Sequence, residues 1–384
     1  MRLKFHKRIA PNLAPLALAL IALCPTHNSR IAYGETLGAP RTNTTVRIGI
    51  LGLFHPHTFM VTAPLGHAIV LRTGAESFVL EDPGIRRATM HLSGNGITVS
   101  FGSTKLHAAE VEVADRKNEA VDFTLTIPGK IARGYHGTLT IRPSSGDLLA
   151  IVTLDLETAV ASVVSAESGP DTPPEALKAL AIASRSYFVS GRGRHSAFDF
   201  CDTTHCQFLR AAPGPRDAVA QAAEATRGLV LAYRSQPFAA MYTRSCSGRT
   251  RTPLELGISQ SNYPYYSVEC RHCRMQPVRW TSRISIEDAA ALQPRTESAR
   301  LTVAHRLGWA AVPSNDFSFE SDGDRVVLRG LGNGHGIGLC QAGAKAMATS
   351  GSSFREILDH YYPNTTLISL FDSQPSGLAM TPQR

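Results

Sequence analysis

Short runs in which hydrophobic and polar residues alternate dominate the chain from Thr45 to about Asp155. β-Branched residues are frequent in these runs, and turn residues such as Asp82-Pro-Gly84 separate them. A period of two places successive side chains on opposite faces of a strand. We therefore predict strands at Val46–Leu51, Ala68–Arg72, Gly96–Phe101, Val121–Ile127, Gly137–Arg142 and Leu148–Leu154.

The pattern changes to a helical period after about residue 170. Apolar residues between Pro174 and Phe188 recur three and four positions apart, and Pro174 suits a first helical turn. Gly228 and Gly351 are placed to end helices. We predict helices at Pro174–Phe188, Arg216–Arg227, Gln341–Thr349 and Ser353–Tyr361, and a hairpin formed by Leu229–Tyr233 and Phe238–Tyr242.

Together these patterns predict a mixed α+β fold, with a β-rich amino-terminal part and a later part that contains helices. The 384 residues are enough for a large core and two domains. We expect a signal peptide at 1–32, a linker at 33–44, a β-rich region at 45–135, a helix-containing domain at 136–370 and a disordered tail at 371–384.

The expected signal peptide changes the meaning of the net charge. Its basic start precedes an apolar run from Ala14 to Cys24, which is too short to cross a bilayer but typical of a secretion signal. The bulky Leu23 argues against lipidation of Cys24. The chain has a formal charge of +8, and residues 1–32 contain five basic residues and no acidic one.

Most of the positive charge therefore belongs to the leader, and we infer no nucleic-acid partner from it. We expect secretion across the inner membrane, a periplasmic or cell-wall location, and no transmembrane span in the mature chain.

One histidine, His335, lies among six glycines in Gly330-Leu-Gly-Asn-Gly-His-Gly-Ile-Gly-Leu-Cys-Gln-Ala-Gly-Ala344. Glycine accepts positive φ and allows a ligand or another segment to approach the backbone closely. A histidine there, just before a predicted helix, is placed to meet a substrate. A glycine-rich turn with a surface histidine explains the spacing equally well.

Glu167 ends an apolar run and precedes the helix opened by Pro174. A carboxyl next to a buried segment loses solvation, which raises its pKa towards that of a catalytic acid. The alternative is a solvated loop glutamate, which position alone favours.

Two thiols and two imidazoles lie within twelve residues, at His195, Cys201, His205 and Cys206. This donor set can close a tetrahedral zinc site, and the competing interpretation is a Cys201–Cys206 disulfide.

Four further cysteines follow, at positions 246, 270, 273 and 340. Cys270 and Cys273 form a second short pair, which could bind a metal, form a disulfide, or pair with Cys246 or Cys340. The segment Thr243-Arg-Ser-Cys-Ser-Gly-Arg-Thr250 suits either a loop that meets a polar ligand or a solvated turn.

In their order, these segments resemble the stage II sporulation protein D/LytB family, which includes lytic transglycosylases and amidase enhancers of bacterial cell walls. The resemblance covers roughly residues 135–370. The segments that carry it are Leu154-Asp-Leu-Glu-Thr-Ala-Val-Ala-Ser-Val-Val-Ser-Ala-Glu167, Glu175-Ala-Leu-Lys-Ala-Leu-Ala-Ile-Ala-Ser-Arg-Ser-Tyr187, Asp199-Phe-Cys-Asp-Thr-Thr-His-Cys-Gln207, Thr243–Thr250, Gly332–Ala344 and Ile357-Leu-Asp-His-Tyr-Tyr-Pro363.

The resemblance implies that Glu167 is the catalytic acid of a lytic transglycosylase, which reverses the preference for a loop glutamate. It also implies a structural zinc ion bound by His195, Cys201, His205 and Cys206. Peptidoglycan glycan strands are the expected substrate, and a cell-wall amidase is a further expected partner. We expect the substrate to be oriented by Asp199, Asp202, Ser245, Ser247, His335 and Gln341.

Two other functions compete with this hypothesis. The first is a non-catalytic wall-binding module that stimulates an amidase. The second is a zinc hydrolase that uses the 195–206 cluster. This hypothesis fits the residues poorly, because two thiolates are unusual in hydrolytic sites and four protein ligands leave no open metal position. The chain also departs from the family pattern after Glu167, where Ser168-Gly-Pro170 replaces the usual Met-Pro or similar pair, and Cys246, Cys270, Cys273 and Cys340 match no family scheme.

Overall fold

The computed structural model describes residues 45–371, except 75, 194, 204, 260 and 261. The predicted signal peptide and linker, and the tail beyond residue 371, lie outside the described residues. Strands and helices both occur, and the β-rich part comes first, so the predicted α+β class is confirmed.

In the described residues, eleven strands precede the first α-helix. They are β1 (Thr45–Ile50), β2 (Thr58–Thr62), β3 (Ala68–Thr73), β4 (Glu76–Glu81), β5 (Arg87–Ser93), β6 (Gly96–Phe101), β7 (Thr104–Ala108), β8 (Val111–Ala114), β9 (Val121–Ile127), β10 (Ile131–Ser144) and β11 (Asp147–Asp155). All six predicted strands are confirmed. The five strands between them were not predicted.

The long strand β10 holds this sheet together. Its first half pairs with β9 and its second half with β11, while β8 pairs with residues 139–141 of the same strand. β1 then pairs with β11 in antiparallel register. The predicted boundary between residues 135 and 136 falls inside β10, and the division into domains stays a prediction.

Helices and strands alternate in the described residues that follow. The helices are α1 (Leu156–Glu167), α2 (Pro174–Ser190), α3 (Ala218–Ala225), α4 (Arg271–Met275), α5 (Ile286–Ala291), α6 (Glu297–Leu307), α7 (Gln341–Thr349) and α8 (Phe354–Tyr361). The strands are β12 (Phe200–Cys201), β13 (Leu229–Tyr233), β14 (Gln236–Pro237), β15 (Tyr242–Thr243), β16 (Arg279–Ser285), β17 (Asp316–Asp322), β18 (Arg325–Leu331), β19 (Leu339–Cys340) and β20 (Thr366–Ser369).

The four predicted helices are confirmed as α2, α3, α7 and α8. The predicted hairpin is wrong in its second strand, since β13 pairs over only two residues with β14 and otherwise with β20. The residues predicted as the second strand start with Phe238, whose side chain is fully buried among Tyr263, Tyr265 and Tyr362. Aromatic packing overrides the local strand pattern there.

Buried side chains form three hydrophobic clusters. The first joins the large sheet to α1 and to one face of α2, and the second lies between the opposite face of α2 and the segments that carry β19, α7 and α8. A smaller third cluster lies under β16, β17 and β18 with α5 and α6. The segments that carry the predicted site residues meet around α1, α2 and β19.

Within residues 45–371, apart from the five omitted positions, no helix has the length and apolar character that crossing a membrane requires.

Candidate functional site

Glu167 is the last residue of α1 and does not lie in a loop. Asp155 begins this helix, its side chain accepting hydrogen bonds from the backbone N–H of Glu157 and of Thr158. The apolar run that the sequence shows before Glu167 is the buried side of the helix, where Val163 and Val164 have no exposed surface. The helix thus projects Glu167 from the edge of the first hydrophobic cluster.

The Glu167 carboxyl is half-buried and has few partners. Its Oε1 accepts a hydrogen bond of 3.2 Å from the backbone N–H of Phe208. Burial raises the pKa of Glu167 above its ordinary value, while the Phe208 N–H, the Gln341 side chain and the positive charge of Arg244 oppose that rise. The carboxyl end of a helix also disfavours a negative charge. Glu167 therefore holds its proton to a higher pH than an ordinary glutamate does.

Gln341, the first residue of α7, faces the same carboxyl. Its Nε2 is buried and makes no close hydrogen bond with any of the described residues. A buried amide donor without a partner is costly unless a ligand or water satisfies it. The predicted substrate-binding residue Gln341 is therefore brought to Glu167, whose carboxyl is the acceptor that its amide faces.

Tyr242 forms another side of this environment. Its hydroxyl donates a hydrogen bond of 2.8 Å to Gln207 Oε1. Burial raises the pKa of Tyr242 well above its ordinary value, and the nearby Glu167 charge acts in the same direction. Tyr242 is thus a neutral hydroxyl beside the carboxyl.

The four residues predicted to bind zinc come together. One donor atom from each of His195, Cys201, His205 and Cys206 lies within 4.8 Å of every other. The Cys206 Sγ is 3.5 Å from His195 Nε2 and 3.5 Å from His205 Nδ1, and the Cys201 Sγ is 3.7 Å from His205 Nδ1. These separations match tetrahedral Zn–S and Zn–N bonds of about 2.3 and 2.0 Å. The donor set therefore fits a zinc ion.

The backbone connects this cluster of His195, Cys201, His205 and Cys206 to the hydrogen-bond donor of Glu167. β12 pairs in parallel with β1, so Gly49 lies opposite Cys201, and a side chain at Gly49 would collide with Phe198. Cys206 is followed within two residues by Phe208, whose N–H meets Glu167. A metal ion bound by the cluster would fix Cys206, and with it the short stretch of backbone that leads to the Phe208 N–H.

Asp202 lies behind the same segment and is 4% exposed. It accepts hydrogen bonds of 3.3 Å from the backbone N–H of Leu51 and from Arg133 Nη1. Burial raises the pKa of Asp202 to about 6, and both partners oppose the rise. The Arg133 guanidinium also lies over the Phe208 ring, 5.5 Å from its centre. Among the described residues, Arg133 and Phe208 connect Asp202 to the Glu167 environment.

Asp199 directly precedes β12, whereas Asp202 directly follows it. The Asp199 Oδ2 accepts a 3.0 Å hydrogen bond from the Arg47 N–H and lies 3.4 Å from Arg192 Nη1. No contact between Asp199 and Glu167 occurs in the described part of the chain. Its predicted role towards substrate stays a prediction.

The glycine-rich segment packs directly on the segment around Thr243–Thr250. Ser245 and Asn333 exchange backbone hydrogen bonds of 3.0 and 2.7 Å. A Cβ at Gly338, where φ is +70°, would lie 1.9 Å from the Met241 carbonyl oxygen. The glycines are therefore required by close backbone contact, and two segments about 90 residues apart form one structural unit.

His335 lies in this unit but not beside Glu167. Its Nδ1 accepts a 3.0 Å hydrogen bond from the Ile337 N–H, and its ring also contacts the Tyr242 backbone. Burial lowers the pKa of His335, Arg300 adds to the effect and Glu297 opposes it. Ser245 and Ser247 line a small pocket with His335. Of the predicted substrate-binding residues, Gln341 thus lies beside Glu167, while Ser245, Ser247 and His335 line this neighbouring pocket.

Sequence reasoning missed four residues of the Glu167 environment, namely Phe208, Tyr242, Arg244 and Arg133. Phe208 acts through its backbone, which no side-chain pattern indicates. Arg244 lies inside the Thr243–Thr250 segment, where its charge next to small polar residues could have been noticed. Tyr242 and Arg133 are on strands whose placement depends on the fold.

Comparison with known proteins identifies related sequences. Residues 144–233, which include Glu167 and the 195–206 cluster, match the SpoIID family model, described as Stage II sporulation protein. The chain is 27% identical over 272 residues to an uncharacterised protein of Brachyspira hyodysenteriae, covering 61% of this chain and 72% of that protein. It is 23% identical over 263 residues to stage II sporulation protein D of Bacillus subtilis, covering 57% and 76%.

A shorter match, 43% identical over 63 residues, joins the chain to the amidase enhancer of Bacillus subtilis, covering 16% of this chain and 9% of that protein. The resemblance to the stage II sporulation protein D family that the sequence predicts is therefore confirmed.

Proposed function

We propose that this protein is a lytic transglycosylase, which cleaves the β-1,4 bond between N-acetylmuramic acid and N-acetylglucosamine in peptidoglycan glycan strands. The observation that carries the proposal is the Glu167 carboxyl, half-buried at the end of α1 with a raised pKa, beside the Gln341 amide and the cationic Arg244 side chain. These are the properties of a general acid that must hold its proton until a leaving oxygen takes it.

One carboxyl is sufficient for this reaction. Protonated Glu167 donates its proton to the glycosidic oxygen as the bond from that oxygen to the muramoyl C1 breaks. The resulting carboxylate then takes the proton of the muramoyl C6 hydroxyl, and O6 bonds to C1 to form a 1,6-anhydro ring. No water is consumed and the carboxyl ends protonated. A second catalytic carboxylate, as in most glycoside hydrolases, is unnecessary because the nucleophile belongs to the substrate.

The surroundings of Glu167 support both steps. Burial favours the protonated acid of the first step. Once the proton has left, the Phe208 N–H, Gln341 and Arg244 are available to stabilise the carboxylate. Zinc bound by His195, Cys201, His205 and Cys206 would have a structural role, because four protein ligands close its tetrahedral coordination. It would fix the loop that carries Phe208.

The test is to incubate the purified protein with uncrosslinked glycan strands and to analyse the products by mass spectrometry. We expect products with 1,6-anhydro ends, and Glu167→Gln should lower the rate by roughly 10²–10⁴-fold, as for loss of a general acid. The matched control is Glu224→Gln, because Glu224 is exposed on α3 and pairs only with Arg227 among the residues described. Products that carry added water would refute the transglycosylase chemistry.

A second candidate function is supported by the short match to an amidase enhancer. In that case the protein would bind the cell wall and stimulate an amidase without cleaving glycan. This function needs the surface of the site but not its acid. Stimulation that survives in Glu167→Gln, with no glycan cleavage by the unsubstituted protein, would favour it over the transglycosylase.

The zinc-hydrolase hypothesis makes a different prediction, because its metal would activate water. Glycan cleavage that persists after treatment with a strong chelator would exclude it.

A further inference from the structure

The last four cysteines of the chain form a second cluster, separate from the one at residues 195–206. Cys246 follows β15, Cys270 and Cys273 belong to the start and body of α4, and Cys340 ends β19. Cys246 and Cys340 are 94 positions apart. The sequence left their pairing open, so the fold alone brings them together.

The four sulfur atoms are arranged around one another and not in two bonded pairs. Each lies within 4.8 Å of the other three, and all four residues are buried. The Sγ atoms of Cys273 and Cys340 are 3.5 Å apart. A disulfide would need about 2.05 Å. Four thiolates on one zinc ion, with Zn–S bonds of about 2.3 Å, are separated by roughly 3.8 Å. The Cys273–Cys340 separation is close to the second value and far from the first.

The surroundings supply hydrogen-bond donors to these sulfurs. The backbone N–H groups of Cys246 and Gly343 donate to Cys340 Sγ at 3.3 and 3.5 Å. The Tyr361 hydroxyl donates to Cys270 Sγ at 3.5 Å. Ser245 Oγ is 3.4 Å from Cys273 Sγ. Donors of this kind stabilise negatively charged ligands around a metal, whereas a disulfide gains little from them.

The packing around the cluster leaves no room for larger neighbours. A Cβ at Gly343 would lie 2.6 Å from Cys270 Sγ and 2.0 Å from the Tyr361 hydroxyl oxygen. The cluster also lies inside the second hydrophobic cluster, among residues such as Leu339 and Ile357. Four thiolates without a cation would be strongly unfavourable there, because buried charges need compensation.

We propose that Cys246, Cys270, Cys273 and Cys340 bind a second structural zinc ion with all-thiolate, tetrahedral coordination. Soft sulfur ligands in tetrahedral geometry select zinc among the common divalent ions. Because four protein ligands fill the coordination shell, the ion has no open position for water and no role in bond cleavage.

The proposed ion connects three segments, two of which carry residues of the Glu167 environment. Arg244 precedes Cys246 by two residues, and Gln341 directly follows Cys340. The Ala342 N–H donates to the Arg244 carbonyl at 3.1 Å, so the two segments also touch through their backbones. On the proposed function, the second ion would thus hold Gln341 and Arg244 against Glu167, as the first would hold Phe208.

The first test measures metal on the full-length protein, purified without chelator, by elemental analysis of zinc and iron per chain. Cys270→Ala/Cys273→Ala should contain one zinc equivalent less than the unsubstituted protein. Cys201→Ala/Cys206→Ala is the matched control and should lose a different equivalent, so that only the four-fold variant loses both. Unchanged zinc in Cys270→Ala/Cys273→Ala would overturn the proposal. Loss of an iron equivalent, and not of a zinc equivalent, from that variant would overturn it too.

A second test uses the unsubstituted protein and does not depend on the folding of a variant. The protein is unfolded in denaturant without reductant and treated with an alkylating reagent, and its peptides are analysed by mass spectrometry. We expect all four cysteines to be alkylated as free thiols. Disulfide-linked peptides that join any two of them would contradict the zinc site. Neither test uses glycan cleavage, so each can succeed or fail independently of the proposed function.

Discussion

The acidity of Glu167 is a balance between opposing local effects. Burial favours the neutral acid, and the Phe208 N–H, Gln341 and Arg244 favour the carboxylate, with burial the largest. The outcome therefore depends on side chains that can be changed singly. Gln341 is the most informative, because it faces the carboxyl without fixing the backbone of α1.

We predict that Gln341→Met moves the pH dependence of glycan cleavage. The proposed acid must be protonated, so the rate of the unsubstituted protein should fall as pH rises through the pKa of Glu167. Removing the amide removes one group that lowers this pKa, and the falling limb should move to higher pH. The measurement is a pH profile of initial cleavage rates.

Gln236→Met serves as the control, because Gln236 is exposed in β14. It should leave the profile unchanged. A profile that does not move in Gln341→Met, or that moves to lower pH, would contradict the proposed influence of Gln341 on the acid.

The same pKa shift has a consequence for stability that needs no substrate. A carboxyl whose pKa is raised on folding contributes stability at low pH, and this contribution is lost as pH rises through the folded pKa. Glu167→Gln should therefore become more stable relative to the unsubstituted protein as pH increases. Urea unfolding at several pH values measures the difference.

Other single residues show how little a residue type reveals about its use. From the sequence, Asp199, Asp202 and His335 are expected to orient the substrate. The structure gives Asp199 and Asp202 partners among backbone and arginine groups, and gives His335 partners in its own loop. Their predicted contacts with substrate stay predictions.

Among the secondary-structure elements, α1 and α2 are joined by a buried ion pair. Arg185 is fully buried, and its Nε and Nη2 donate to the two carboxylate oxygens of Glu157 at 2.9 and 2.6 Å. Its remaining donors reach the carbonyls of Leu229 and Ala223, each at 3.1 Å. One side chain therefore links α1, α2, α3 and β13.

We predict that Arg185→Met lowers the free energy of unfolding by about 3–5 kcal/mol, because it leaves the Glu157 carboxylate buried without its partner. Urea unfolding followed by circular dichroism measures this loss. Arg227→Met is the matched control, since Arg227 forms an exposed pair with Glu224. The control should cost less than about 1 kcal/mol. Equal losses in the two variants would show that the buried pair has no special role.

Helix prediction from the sequence succeeded where the pattern and the helix ends are local. Ser353 begins α8 with a reciprocal side-chain and backbone exchange with Glu356, and Cys340 begins α7. The hairpin prediction failed because the chain after Pro237 leaves its partner to bury aromatic side chains. A period of two cannot distinguish these outcomes.

Taken together, the elements are organised around α2. One face of this helix contributes Leu180 to the first hydrophobic cluster, and the opposite face contributes Ile182 to the second. A helix buried on both faces couples the two clusters mechanically, since neither can lose its packing without exposing the helix.

We predict that the two clusters unfold in one transition. Leu180→Ala and Ile182→Ala should each lower the free energy of unfolding by about 2–5 kcal/mol through the cavity they leave. Far-ultraviolet and near-ultraviolet circular dichroism should report the same midpoint in each variant. Leu254→Ala is the control, because Leu254 is 73% exposed and its loss should change little. Two separate transitions in Ile182→Ala would contradict this coupling.

The sequence alone was sufficient for features encoded within a short stretch of chain. These include the strands with clear alternation, the helices with recognisable ends, and the set of donors between His195 and Cys206, which lie too close in sequence to separate far in space. The order of the motifs also indicated the family, which the match of residues 144–233 supports.

The tertiary structure decided which distant segments meet. Glu167 meets the backbone of Phe208, 41 positions away, and Cys246 meets Cys340, 94 positions away. Neither contact leaves a local pattern, because it depends on how the helices and strands pack and not on the residues between them. For the same physical reason, four cysteines without an evident scheme in the sequence become a single buried cluster in the folded protein.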